Sequence, residues 1–215
     1  MYLNRLLTFL FLLASLAFSG FSSADTEIIE GKDYALLTNP QPTRNSEKIE
    51  VLEFFWYGCP HCNNLHPYIK KWWKDIPHDV SFHFLPAIFR TSWVPAAKLF
   101  YAMEAIGATD KLHDKAYEAI HRDKINLNKE SELFNWVEEQ GVDRKKFMDA
   151  YHSFTVQNQV AKSTQMSRQY QLTGVPSLVI EGKYLTSGRM GGTPEDTITV
   201  LNKLIEKVRQ ERNAK

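Results

Sequence analysis

The chain has very few cysteines and almost no net charge. Its 215 residues include two cysteines, Cys59 and Cys62, and neither a second Cys-x-x-Cys nor a His-x-x-x-His motif. Structural zinc sites nearly always have four ligands, whereas the only candidate set on one helical face is Cys59, Cys62 and His66. A Cys-x-x-Cys loop is also too short to stabilise a fold much as a covalent staple. We therefore interpret the pair as redox-active, with a staple or a metal site as the alternatives.

The lack of net charge bears on possible partners. Arg5 is the only charged residue in positions 1–24, and the remaining residues carry 25 basic and 25 acidic side chains. Such a chain offers no electrostatic reason to bind nucleic acid or an anionic membrane. With 43% hydrophobic and 13% aromatic residues, it can build a proper core in one domain, or in one domain with an insert.

The N-terminal residues 1–24 have the pattern of a cleaved secretory signal. Arg5 precedes an apolar run over residues 6–18, and small residues occupy positions 22–24. The alternative is an uncleaved membrane anchor, because the run is near the lower length limit for a span. Export would place the cysteines outside the reducing cytosol, where a disulfide persists.

The cysteines lie between a predicted strand and a predicted helix. The aromatic-rich run 49–56 predicts a buried strand, and residues 63–74 have a helical pattern. Cys59 would then sit at a helix N-terminus, where the backbone N–H groups and the dipole stabilise a thiolate. Pro60 suits the first helical position. Cys62, one turn later, is predicted to be less exposed and to attack a mixed disulfide.

Two ionisable residues near the cysteines have open roles. Glu53 interrupts an apolar strand, where burial raises the pKa of a carboxyl group. It is either half of an ion pair with a lysine or a buried proton carrier for Cys62. His61 lies between the cysteines, where it can favour the Cys59 thiolate by a hydrogen bond or by its charge, or it is an idle surface histidine.

The remaining elements complete an α/β pattern. Residues 80–86 predict a second buried strand, parallel to the first with a right-handed crossover. From Pro95 to Tyr170 helices dominate, with breaks at Gly107 and Gly141; the predicted helices are 96–106, 110–121, 129–140, 144–151 and 155–170. A hairpin of 178–180 and 184–185 follows. A last helix begins after Thr193 as cap, with Pro194 at its first position.

This order of elements resembles the thioredoxin fold with an all-helical insertion, and in particular the DsbA family of periplasmic thiol:disulfide oxidoreductases. The most specific motifs are Glu53-Phe54-Phe55, Cys59-Pro60-His61-Cys62 and Gly174-Val175-Pro176. Thioredoxins carry Gly-Pro where this chain has Pro60-His61. The expected division is a signal peptide at 1–24, a discontinuous thioredoxin-like domain at 25–91 and 164–215, and a helical insertion domain at 92–163.

The resemblance implies roles for the site residues. Cys59 would be the exposed nucleophile, Cys62 the resolving thiol and Glu53 the family's buried acid. Pro176 would be a cis-proline facing the pair, although base rates favour a trans X-Pro bond. Val175, Trp56 and Tyr57 are expected to bind substrate in an apolar groove, joined by Trp93 and Val94; Trp56 is equally compatible with a core position.

The predicted function is oxidative folding of exported proteins. The chain would donate the Cys59–Cys62 disulfide to unfolded or reduced proteins in the periplasm through a mixed disulfide at Cys59. It would need no metal or cofactor beyond that disulfide, act as a monomer, bind no nucleic acid and be reoxidised by a membrane quinone-linked DsbB-type protein. The alternatives are a disulfide reductase or isomerase and, from another class, a peptide-binding holdase chaperone.

Overall fold

The described residues contain one five-stranded β-sheet. A computed structural model describes residues 27–214, which form a five-stranded sheet in the order β1-β5-β4-β2-β3. The strands are β1 (Ala35–Leu36), β2 (Ile49–Phe55), β3 (Val80–Pro86), β4 (Ser177–Ile180) and β5 (Tyr184–Ser187). β2 and β3 are parallel, as predicted, and the other pairs are antiparallel.

Strand β2 is the centre of the molecule. All seven of its residues are buried, because β3 and β4 cover its edges and helices cover its faces. Val51 packs in a core with residues of the first and last helices, such as Ile69 and Leu204. Leu52 and Phe54 pack in a second core on the opposite face. The end of β2 is therefore held rigidly from both sides.

The first helix, α1 (Pro60–Lys74), begins where the sequence predicted, with Cys59 at its N-terminus and Pro60 at its first position. Pro60 is its first residue and Cys59 its N-cap, so the whole Cys-x-x-Cys motif lies in or directly before the first turn. Pro67 lies inside the helix. Because α1 begins at Pro60, Cys62 lies on its buried face.

A block of helices follows β3. It consists of α2 (Val94–Ile106), α3 (Thr109–His121), α4 (Glu130–Glu139), α5 (Arg144–Tyr151) and α6 (Phe154–Gln169), preceded by a short 3-10 turn at Thr91–Trp93. The five predicted helices are present, with bounds that differ by at most two residues. Gly107 and Gly141 end α2 and α4 at φ of +71° and +70°, a region that glycine enters without a Cβ penalty. Helix α6 continues through the predicted domain boundary at 163, and the division into two domains stays a prediction.

The C-terminal segment closes the other face of the sheet. After the hairpin come a short helix that the sequence analysis did not predict, α7 (Gly188–Gly191), and the long α8 (Pro194–Asn213). Thr193 and Asp196 form a capping box at the start of α8. Leu201, Leu204 and Val208 of α8 pack in the same core as Val51.

The predicted export segment lies apart from this description. Residues 1–24, predicted to be a signal peptide, are outside the described residues. Within residues 27–214, no helix is long and apolar enough to cross a membrane.

Candidate active site

The turn between β2 and α1 holds Cys59 in place. The backbone N–H of Cys59 donates to the carbonyl of Trp56 at 2.9 Å, and the N–H of Asn63 donates to the carbonyl of Cys59 at 3.0 Å. Glycine is required at position 58 of this turn, because a Cβ there would lie 2.3 Å from an atom of the Trp56 ring. The tight turn therefore brings the sulfur of Cys59 to the N-terminus of α1.

The two thiols have opposite environments. Cys59 is 8% exposed and Cys62 is fully buried, and both are free thiols. The pKa of Cys59 is lowered to about 6, chiefly because the Cys62 thiol donates a hydrogen bond to it. The backbone N–H groups of Cys62 and His61 and the charge of His61 lower it further, against the opposing effect of burial. The backbone N–H groups at the start of α1 thus lower the pKa of Cys59, as predicted. The charge of His61 makes the smallest contribution to the pKa shift.

Burial dominates at Cys62. It raises the pKa of this thiol well above its usual value, and the neighbouring Cys59 and the negative charge of Glu53 act in the same direction. Cys62 is therefore protonated under conditions in which Cys59 is ionised. Cys62 is less exposed than Cys59, as predicted, and the roles of the two thiols stay predictions.

The Val175–Pro176 segment lies directly opposite the cysteines. Its peptide bond is cis, as the family resemblance implied. The Cys59 thiol donates to the carbonyl of Val175 at 3.4 Å, across 116 residues of sequence. Ser177 Oγ donates to the carbonyl of Gly174 at 2.8 Å and holds the segment together.

Glu53 is a buried acid without a hydrogen-bond partner among residues 27–214. Its side chain is 0% exposed, and within the described part of the chain neither carboxyl oxygen has a hydrogen-bond partner. Burial raises the pKa of Glu53 to about 8. The alternative of a structural ion pair with a lysine is wrong, because no cation pairs with Glu53 in residues 27–214. A neutral carboxyl group therefore lies close enough to Cys62 for its ionisation to affect that thiol.

Two grooves are relevant to the site, one lined by the Val175–Pro176 segment and one that extends along the chain only to Thr173. The first, here called the Pro176 groove, has a volume of about 530 Å³, and its lining includes His61, Leu65, Val175, Pro176, Arg189 and Met190. The second, here called the Arg90 groove, has a volume of about 840 Å³, and its lining includes Phe89, Arg90, Val94, Ser167, Arg168 and Thr173. Thr173 belongs to the lining of both.

Trp56 and Tyr57, which the sequence predicted to bind substrate, are not among the residues that line either groove. Tyr57 is fully buried and its hydroxyl contacts His113 Nδ1 at 2.5 Å, so its prediction as a substrate-binding residue is wrong. The half-buried Trp56 stacks on Trp93 with ring centroids 4.3 Å apart and planes within 4°. This stack packs against the core beside the sheet. Aromatic character alone does not reveal which rings are buried, because it suits both a core and a binding site.

Comparison with known proteins identifies the family. The family model of the DSBA-like thioredoxin domain matches residues 65–200. The chain belongs to this DsbA-like family. It is 37% identical to the thiol:disulfide interchange protein DsbA of Pseudomonas aeruginosa, over 96% of this chain and 97% of the relative. It is also 37% identical to that of Burkholderia cepacia, over 98% of this chain and 100% of the relative.

Solved structures agree with this assignment. The crystal structure of Pseudomonas aeruginosa DsbA aligns with a TM-score of 0.83 and 38% identity, over 86% of this chain and 97% of that one. The oxidoreductase NmDsbA1 of Neisseria meningitidis aligns with a TM-score of 0.77 and 30% identity, over 86% and 96%. The DsbA-like chain therefore has the predicted thioredoxin fold with a helical insertion, and it is a thiol:disulfide interchange oxidoreductase.

The metal alternative finds no support in this DsbA-like site. His66, the third member of the candidate set, bonds through Nε2 to Asp114 Oδ1 at 2.7 Å. Across residues 27–214, no three His, Cys, Asp or Glu side chains are grouped so that they could hold a metal ion.

Several groove residues were not found from sequence. Leu65, Arg189 and Met190 line the Pro176 groove, and Phe89 and Arg168 line the Arg90 groove. They come from α1, α6, α7 and the loop after β3, which the fold brings together. No local pattern marks them, because only their tertiary position relates them to Cys59.

Proposed function

We propose that this protein is a dithiol oxidase that donates the Cys59–Cys62 disulfide to reduced exported proteins. The observation that carries the proposal is the contrast between Cys59, whose pKa is lowered to about 6, and the buried, protonated Cys62. Stabilising a thiolate stabilises the reduced protein, so the disulfide becomes a stronger oxidant. It also makes Cys59 a good leaving group.

The transfer takes two exchange steps. A substrate thiolate attacks Cys59 Sγ of the disulfide, a mixed disulfide forms, and Cys62 leaves as a thiolate and takes up a proton. A second substrate thiolate then attacks the substrate sulfur of the mixed disulfide, and Cys59 leaves as a thiolate. The substrate loses two electrons and gains a disulfide, and the protein keeps both electrons as its reduced cysteine pair.

Glu53 is suited to supply the proton that Cys62 takes up. Its pKa of about 8 keeps the carboxyl group protonated near neutral pH, and it lies in the water-poor interior beside Cys62. The same group would accept the proton again when Cys62 attacks a mixed disulfide during reoxidation. Its lack of other hydrogen-bond partners within the described residues leaves it available for this exchange.

The Pro176 groove is the proposed substrate site. Its lining includes the apolar residues Leu65, Val175 and Met190. The carbonyl of Val175 accepts a hydrogen bond from the Cys59 thiol. An extended substrate chain would pair its backbone with this segment while its side chains enter the groove. His61, exposed at the entrance, would favour the Cys59 thiolate that leaves in the second step.

The proposal also includes the cell biology expected from the sequence. Residues 1–24 would direct export to the periplasm and be cleaved, and the mature protein would work as a monomer without a further cofactor. A membrane quinone-linked DsbB-type protein would reoxidise the cysteines. The separation of an insertion domain at 92–163 from the thioredoxin-like parts belongs to the same set of proposals.

The redox equilibrium of the purified mature protein tests the direction of electron flow. We expect the Cys59–Cys62 pair to be largely reduced even in fairly oxidising glutathione buffers, as followed by thiol trapping. A pair that stays oxidised until the buffer is strongly reducing would sink the oxidase proposal in favour of a reductase. Cys59→Ser should abolish oxidase activity; suppression of aggregation that survives this change would indicate a holdase instead.

A further inference from the structure

The three arginines that line the two grooves differ in their ion pairing from the other arginines of the described residues. Residues 27–214 contain eight arginines, and Arg90, Arg168 and Arg189 form no ion pair with any Asp or Glu among those residues. The other five all contact a carboxylate: Arg44, Arg122, Arg144, Arg209 and Arg212. Arg90 and Arg168 line the Arg90 groove, and Arg189 lines the Pro176 groove, which also contains Val175, the residue whose carbonyl accepts from Cys59.

The grooves themselves lack negative charge. Neither the Pro176 groove nor the Arg90 groove has an Asp or Glu among its described lining residues. Arg90, Arg168 and Arg189 are all exposed, and the guanidinium group of Arg90 lies 5.6 Å from the centroid of the Trp93 ring. In a chain whose basic and acidic residues are almost equal in number, this is a local excess of positive charge along the two grooves.

Hydrogen bonds fix part of the lining of the Arg90 groove. The N–H of Ile88 donates to Ser167 Oγ at 3.1 Å, and Ser167 Oγ donates to the carbonyl of Ser163 at 2.8 Å, which ties the loop after β3 to α6. Phe89 is 38% exposed, and its ring centroid lies 5.0 Å from that of Trp93. The groove therefore combines a fixed apolar surface with exposed arginines at its sides.

These features select one kind of occupant. An extended chain lying across the Val175–Pro176 segment would run from the Pro176 groove towards the Arg90 groove, because Thr173 lines both. Apolar side chains of such a chain match Phe89, and carboxylates match the planar, permanently charged guanidinium groups. Lysine or arginine at the same positions would face unopposed like charge.

We propose that this surface selects reduced substrate segments in which acidic residues lie close to the reacting cysteine. The inference rests on the proposed function, since it specifies the substrates of that same site. Because the three arginines are exposed, their effect falls mainly on the rate of encounter and depends on ionic strength. Substrates with acidic segments are oxidised first when several compete.

The test compares three synthetic dithiol peptides that differ only in the residues around their cysteines, which are acidic, neutral or basic. Oxidation by the oxidised protein is followed by rapid mixing and thiol trapping at low ionic strength and in about 1 M salt. We expect the acidic peptide to react about tenfold or more faster than the basic one at low ionic strength, and the ratio to approach one in high salt.

Two triple variants separate the local surface from net charge. Arg90→Gln, Arg168→Gln and Arg189→Gln together should remove most of the preference for the acidic peptide. Lys71→Gln, Lys115→Gln and Lys145→Gln together change the net charge equally but lie outside both grooves, so the ratio should stay that of the wild type. Equal rates for acidic and basic peptides, or an equal loss of preference in both triple variants, would overturn the inference.

Binding of peptides with serine in place of cysteine keeps this test independent of the redox chemistry. A protein that oxidises none of the peptides refutes the proposed oxidase function. Tighter binding of the acidic serine peptide by the wild type, lost in the arginine triple variant, would still support the charge preference. Equal binding of the acidic and basic serine peptides would refute it.

Discussion

At the scale of single residues, burial acts on Glu53 and Cys62 in the same direction. Both groups are fully buried, and in each case loss of hydration disfavours the charged form and raises the pKa. Burial also acts to raise the pKa of Cys59, but the hydrogen-bond donors at the start of α1 outweigh it. One short stretch of chain thus holds one easily ionised group and two that resist ionisation.

Glu53→Gln should make the protein more stable at neutral and mildly alkaline pH. The pKa of Glu53 is about 8 in the folded protein against an ordinary value of 4.5, so folding takes up a proton between these values. Stability conferred by the neutral carboxyl group is complete below the lower value and falls by about 1.4 kcal/mol per pH unit up to the higher one. Urea unfolding of the reduced proteins from pH 5 to pH 8 measures the difference.

The advantage of Glu53→Gln should grow with pH; Glu139→Gln on the exposed side of α4 is the control for replacing a carboxyl group by an amide. A difference for Glu53→Gln that does not change across this range would mean that the carboxyl group is already ionised, and it would contradict the proposed role as a proton carrier.

At the scale of elements, the junction of β2 and α1 depends on close packing. Trp56, the residue after β2, packs beside Gly58 and stacks on Trp93. The turn that carries Cys59 therefore packs against the stacked indole rings of Trp56 and Trp93. The backbone of this turn is fixed by the hydrogen bond from Cys59 to Trp56. The position of the reactive sulfur is therefore set by packing as well as by helix capping.

Gly58→Ala should destabilise the protein by about 1–3 kcal/mol, because its methyl group would lie 2.3 Å from the nearest atom of the indole ring of Trp56. Denaturant unfolding measures the loss, and tryptophan fluorescence should report the displaced ring. Gly174→Ala is the matched control: a Cβ there meets no atom within 4 Å, and Gly174 is not in the left-handed region. Equal losses in the two variants would refute the packing argument.

At the scale of the whole molecule, the active-site turn is bonded to the helical block. The hydroxyl of Tyr57 contacts His113 Nδ1 at 2.5 Å, and His121 Nε2 contacts the carbonyl of Tyr57 at 2.7 Å. Both histidines belong to α3, and His113 is buried with its pKa lowered to about 3 by loss of hydration. The neutral ring of His113 therefore serves as a fixed link between the sheet and the helices.

Tyr57→Phe should cost about 1–3 kcal/mol of unfolding free energy, because it removes the partner of a buried ring nitrogen of His113. The other ring nitrogen already has no partner within the described residues. Tyr117→Phe is the control: Tyr117 is similarly buried, but its hydroxyl makes no hydrogen bond in residues 27–214. The two variants are compared by urea unfolding at neutral pH. A loss for Tyr117→Phe as large as that for Tyr57→Phe would contradict the assigned link.

Patterns that act over short distances were predicted well. The breaks at Gly107 and Gly141, the cap at Thr193 and the parallel β2–β3 pair are all present. The sequence pattern missed α7, which spans only Gly188–Gly191 and is too short to show apolar periodicity. Element type follows from local periodicity and capping, whereas short helices depend on what surrounds them.

The sequence by itself determined the reactive pair, the order of the elements and the family, because these depend on the spacing of residues that are close along the chain. Only the tertiary structure decided that Glu53 has no partner in the described residues, that Tyr57 is buried and that Arg90, Arg168 and Arg189 line two grooves without an acidic partner among residues 27–214. The physical reason is that burial, charge pairing and groove shape depend on atoms far apart in sequence, which come together only when the chain folds.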